Sequence, residues 1–123
     1  MNLLKEKLRE VLSSDNTRDL IEPLEQLLDR IIMELRLLRI IITRSLVERK
    51  FVRGLSDIDI LVITDYEPGD KRFILTSVRD VDVEITVIST HELEKALQEN
   101  REFYVNTLRQ GIIVFTVETA SYN

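Results

Sequence analysis

Leu4, Leu8, Val11 and Leu12 fall on one face of a helix, with Lys5, Glu6, Lys7, Arg9 and Glu10 distributed around the rest. Ser13-Ser14-Asp15-Asn16 then reads as a turn. Leu24, Leu27, Leu28, Ile31, Ile32 and Leu35 repeat at helical spacing, while Glu25, Asp29, Arg30, Glu34 and Arg36 take the opposite side. Pro23 belongs near the start of this second helix, where its missing amide hydrogen does least harm. This stripe predicts packing on a sheet, with enough apolar surface left over to meet a partner helix or a second copy.

The pattern changes after Leu37. Arg39-Ile40-Ile41-Ile42-Thr43 is β-branched and too apolar for a solvated helix, which predicts a first strand. A connection from Arg44 to Leu55 leads to Asp57-Ile58-Asp59-Ile60-Leu61-Val62-Ile63-Thr64, the clearest strand in the chain. Glu67-Pro68-Gly69-Asp70 is a turn. Two further strands are expected over Arg72 to Val78 and Val81 to Ile88. Ser89-Thr90-His91-Glu92 has the spacing of a capping box and predicts a helix start. A last helix over about Arg101 to Arg109 should close at Gly111 in the C′ position, before a strand from Ile112 to Val117. The expected fold is α/β (α+β): a mixed sheet of about four to five strands with helices packed on it, preceded by an N-terminal helical pair. One domain is expected over 1–123, with a helical part over 1–36 and a sheet-containing core over 37–118.

Composition narrows the chemistry. A hydrophobic fraction of 44% with 32% charged residues is globular, and the net charge of −5 argues against broad nucleic-acid binding. The lack of Cys removes disulfides, thiolate metal sites and thiol nucleophiles, and a single His removes a multi-histidine site. The charges within Met1 to Leu12 leave no signal-peptide core, and no stretch is apolar enough to span a bilayer, so a cytoplasmic chain with no membrane contact is expected.

Alternation along a strand puts Asp57 and Asp59 on one side while Ile58, Ile60 and Val62 enter the core. Two repelling carboxylates at the head of an apolar strand call for a positive partner, and a hard divalent cation, Mg²⁺ or Mn²⁺, suits oxygen donors best. Asp82, Glu84 and Thr86 share a face of the later strand, and they meet the first pair if the strands are neighbours. Asp-x-Asp also occurs at plain exposed strand ends, and Asp80 to Glu84 reads equally as a solvated face. His91 reads as exposed. Phe51, Phe73, Phe103, Tyr104 and Phe115 are spaced like core residues rather than a base-stacking platform.

The stretch Gly54-Leu55-Ser56-Asp57-Ile58-Asp59-Ile60-Leu61-Val62 resembles the second metal-binding motif of the DNA polymerase beta-like nucleotidyltransferase superfamily, and in particular the minimal nucleotidyltransferase (MNT) domains of archaea and bacteria. The resemblance runs from about Arg39 to Val117. It implies that Asp57 and Asp59 ligate catalytic metals, with Glu84 as third acid (Asp82 as the alternative), and that Ser45 contacts nucleotide phosphates beside Ser56. Arg44 stands where the family has glycine. Glycine lets the backbone approach a triphosphate, whereas arginine offers a guanidinium that itself holds phosphate. Arg49, Lys50 and Arg53 lie close enough in sequence to neutralise a nucleoside triphosphate such as ATP, or else form a solvated surface. Two readings follow. One is a metal-dependent transfer of a nucleoside monophosphate from an NTP to a protein or RNA hydroxyl. The other is a degenerate nucleotidyltransferase fold serving as a binding or antitoxin-type regulatory subunit, for which the resemblance implies a helical HEPN-type partner.

Overall fold

A computed structural model describes residues 3–43 and 51–117. Arg44, Ser45, Arg49 and Lys50, four of the expected phosphate-binding residues, lie outside the described residues. Helices α1 (Leu3–Val11) and α2 (Ile21–Glu34) are followed by β1 (Leu37–Ile42), β2 (Ile58–Thr64), β3 (Phe73–Val78) and β4 (Val81–Ser89). Then come α3 (Thr90–Gln98), α4 (Glu102–Gln110) and β5 (Ile112–Thr116). The fold class is as the patterning predicts, a mixed α+β sheet of five strands with helices packed on it.

The strand order is β3-β4-β2-β1-β5. Every neighbouring pair is antiparallel except β2 and β4, which run parallel with Ile58 beside Val83 and Asp59 beside Glu84. The parallel pair arises because β3 lies outside β4 as an edge strand, so the chain passes β4's position before returning to fill it.

One sheet face is covered by the amino-terminal helices. Leu4, Leu8, Leu12, Leu20, Leu24 and Leu28 pack with Ile40, Ile42, Ile58, Ile60, Val62, Val83, Ile85 and Val87 in one buried cluster. Each fully buried Leu or Ile stabilises the fold by roughly 2 kcal/mol, so this layer dominates the hydrophobic term. Leu24, Leu28, Ile31 and Leu35 of the stripe are buried, Leu27 and Ile32 are partly buried against them, and Met33 is exposed. Exposed apolar side chains elsewhere include Phe73 and Leu75, which point outward from β3.

On the other face the described residues provide cover at one end. There α3 and α4 bury Ile41, Leu61, Ile63 and Ile88 beneath Leu93, Ala96 and Tyr104. The capping box holds: the Ser89 hydroxyl oxygen accepts from the Glu92 amide at 3.1 Å. Helix α3 ends on Asn100 in the left-handed region, with the Asn100 amide donating to Leu97 and the Arg101 amide to Ala96. This pair of bonds folds α4 back sharply against α3. Gly111 corrects the expected cap. Its φ is −75°, not left-handed, and glycine is required because an added Cβ would lie 2.6 Å from the Thr107 carbonyl oxygen and 2.8 Å from that of Ile42.

Candidate functional site

The end of the second face that the described residues leave open carries the carboxylates. On β2 the inward residues Leu61 and Ile63 sit under α3 and α4, and two residues earlier Asp59 emerges half-buried where that cover stops. Glu84 is directly beside it on β4, close enough to act on the Asp59 carboxyl through its charge and through hydrogen bonding. Asp57 lies exposed at the entry to β2, close enough to act on Asp59 by its charge. Asp82 is exposed two residues earlier on the same face of β4, opposite Ser77 of β3, whereas Glu84 is the residue in register with Asp59. Of the two choices for a third acid, the geometry therefore brings Glu84 to Asp59.

The Asp59 carboxyl is pushed up to about 6, first by burial, then by the charge of Glu84 and the hydrogen bond to it, and last by Asp57. The folded chain holds this carboxyl's proton more tightly than the unfolded chain, so the group costs nothing below about pH 4 and its penalty is complete above about pH 6. With solvent on its open side, the penalty is of order 1–2 kcal/mol. Thermal melts in metal-free buffer should show this component of stability being lost between pH 4 and 6. In Asp59→Asn that component should be absent.

Asp59 and Glu84 offer only oxygen donors, which is the donor chemistry a hard divalent cation would take. Among the described residues no three His, Asp or Glu side chains close on one point as a metal site. Mg²⁺ is commonly held by only one or two carboxylates with phosphates and water completing its shell, and Asp59 with Glu84 supplies such a pair.

Two neighbouring groups were not singled out by sequence reasoning. Thr43 continues β1 beside Asp59, its amide donating to the Asp59 carbonyl at 3.1 Å. Its hydroxyl is buried and has no hydrogen-bond partner among the described residues. A hydroxyl closing the run Ile40-Ile41-Ile42 was the available signal. The second group is aromatic. Phe51 and Tyr104 are buried and Phe115 half-buried, as expected of core residues, but Phe73 is 65% and Phe103 40% exposed. These two flank a groove of about 410 Å³ that also touches Asp59 and Glu84.

Ser56 and Arg53 have structural partners. The Ser56 hydroxyl oxygen accepts from the Val52 amide at 2.9 Å, closing the turn that Gly54 makes possible with φ +91°. Arg53, expected near a triphosphate, instead joins Asp19 (2.9 Å from one nitrogen), Asp80 and the Asn16 carbonyl (2.8 Å). Its guanidinium holds both carboxyls below their usual range. Arg53 thus ties the segment before β2 to the helical layer and to the β3–β4 turn. His91 is exposed, as expected.

No protein-family profile matches the chain, and no curated protein sequence does. Among solved structures, a nucleotidyltransferase-like protein from Exiguobacterium sibiricum 255-15 is similar, with a TM-score of 0.60 at 18% identity. The match covers 82% of this chain and 34% of that one, so this chain spans about a third of that protein's length. At such identity the likeness is one of fold: the sheet is nucleotidyltransferase-like. No helix among the described residues is long and apolar enough to cross a membrane.

Proposed function

We propose that this chain is a metal-dependent nucleotidyltransferase of the minimal type, passing a nucleoside monophosphate from an NTP to a hydroxyl on protein or RNA. The observation that carries this reading is the pairing of Asp59 with Glu84 on adjacent parallel strands, at the end of the sheet that the described residues leave open, with Asp57 beside them. Asp57 and Asp59 would hold Mg²⁺ or Mn²⁺, and Glu84 would complete the set from β4. A bound divalent cation supplies charge neutralisation at the phosphates and an acidified acceptor hydroxyl. The chain's own share is to hold Asp59 and Glu84 in register on a rigid sheet, so that little rearrangement would be needed to receive a cation.

The test is transfer of label from α-³²P NTPs, each supplied with Mg²⁺ or Mn²⁺, to protein and RNA from cell extract. Metal-dependent labelling supports the reading, and its absence with all four nucleotides removes the enzyme. A second reading is a catalytically degenerate binding or antitoxin-type subunit acting with a helical protein partner. It is favoured by Arg44 in the place of the motif glycine and by the lack of three converging acids among the described residues. Metal-linked nucleotide binding without transfer would support it.

A further inference from the structure

The groove beside the carboxylates has two chemically different ends. At one end are Asp59 and Glu84; the walls are Phe73 and Leu75 from β3 on one side and Phe103 with Arg101 from α4 on the other. Phe73 and Leu75 are 65% and 75% exposed, and they stand two residues apart on an edge strand. Leu75 lies beside Glu84 and Phe73 beside Thr86. Neighbouring strands are separated by about 4.8 Å, so Leu75 is roughly 10 Å from Asp59, two strand spacings away. The Schellman closure at Asn100 places Arg101 at the start of α4, with its guanidinium carbon 5.3 Å from the centre of the Tyr104 ring. Beyond Tyr104 a second hollow of about 300 Å³ is charged instead, containing His91, Lys95 and Arg72, the last already bridged to Glu92 at 2.8 Å.

We infer that this groove is a nucleobase site, in which the base of the nucleotide lies between Phe73 and Phe103 while its phosphates reach the Asp59–Glu84 end. The inference rests on the proposed function and adds to it the part of the site that grips the nucleoside. Continuity selects the occupant: anything filling the groove touches the carboxylates as well, which suits one ligand with a flat apolar part and an anionic part bridged by a cation. Phe rings and an Arg plane are the groups on which bases stack, and a cleft of about 410 Å³ is in the range of small-ligand pockets. Thr86 on the floor offers a hydroxyl to a base edge.

Calorimetry on the full chain with Mn²⁺ decides the matter, using ATP, GTP, CTP and UTP against tripolyphosphate, which has the charge but no base. At least one nucleotide should bind about tenfold or more tightly than tripolyphosphate. Phe73→Ser and Leu75→Ser, both at exposed positions, should remove that advantage while leaving tripolyphosphate binding and the melting temperature near those of the wild type. Nucleotides binding no better than tripolyphosphate would overturn the inference and leave the metal–phosphate site standing. So would a Phe73→Ser chain that loses self-association in sedimentation but keeps its preference for nucleotide, since the groove would then be covered by a second copy. If neither tripolyphosphate nor any nucleotide binds, the proposed function fails and the base site with it.

Discussion

Asp57→Asn combined with Asp59→Asn should lower any metal-dependent transfer by about a thousandfold or more, while the chain stays folded and, above pH 6 without metal, melts at a higher temperature. The two effects have one cause. Burial of Asp59 comes first, the charges of Glu84 and then Asp57 add to it, and together they keep a proton on Asp59 up to about pH 6. Removing the charges relieves the folded state and takes away the ligands. Loss of metal-assisted charge stabilisation is worth several kcal/mol at the transition state, which is the source of the thousandfold figure. The two readouts are kept apart by measuring the melting temperature with and without Mn²⁺. Wild type should rise with metal and nucleotide, and the double variant should not respond. A double variant that still gains stability from Mn²⁺ would place the metal elsewhere. Because the cation competes with a proton, apparent affinity in the wild type should increase from pH 5 to 7.

Gly111→Ala should be the most damaging single methyl in the molecule. The new Cβ would meet the Thr107 carbonyl oxygen at 2.6 Å, the Ile41 Cγ2 at 2.7 Å and the Ile42 carbonyl oxygen at 2.8 Å. Two of these are backbone atoms of α4 and β1, so relief requires α4 to lift from the sheet. Overpacking of that kind costs about 3 kcal/mol or more, or roughly 10 °C in melting temperature for a chain of this size. Gly54→Ala is the control. Its φ of +91° strains an alanine, but nothing lies within 4 Å of the added carbon, so the loss should be only about 1–2 kcal/mol. Equal losses at the two sites would mean that close approach is not what Gly111 provides.

The elements were legible because their periods are unambiguous. The stripe from Leu24 to Leu35, the capping box at Ser89 and the run from Ile58 to Thr64 each have one reading. Sheet order was not legible. Strand β4 slots in beside β2 because β3 swings outside it, a choice made by packing over the whole sheet rather than by any residue of β4. The meeting of Asp59 with Glu84 was therefore conditional on a pairing that the sequence does not encode locally. Strand β3 misled for another reason: Phe73 and Leu75 alternate with Ile74 and Thr76, so apolar residues occur on both faces and alternation cannot assign the outward one. Arg53 was misplaced because its partners Asp19 and Asp80 are 34 and 27 residues away. Asn100 was legible in principle, since a left-handed Asn after a capped helix is a common stop.

The acids on β2 and β4 also guard the alignment of the sheet itself. Sliding β2 by a single residue would swing Asp57 and Asp59 into the greasy layer beneath α1 and α2 and turn Ile58, Ile60 and Val62 away from it onto the opposite face. Stranding even one unpaired carboxylate there costs several kcal/mol, so mispaired sheets are rejected as the chain folds. The same residues that burden the native state at neutral pH thereby make it the one arrangement the strands can accept.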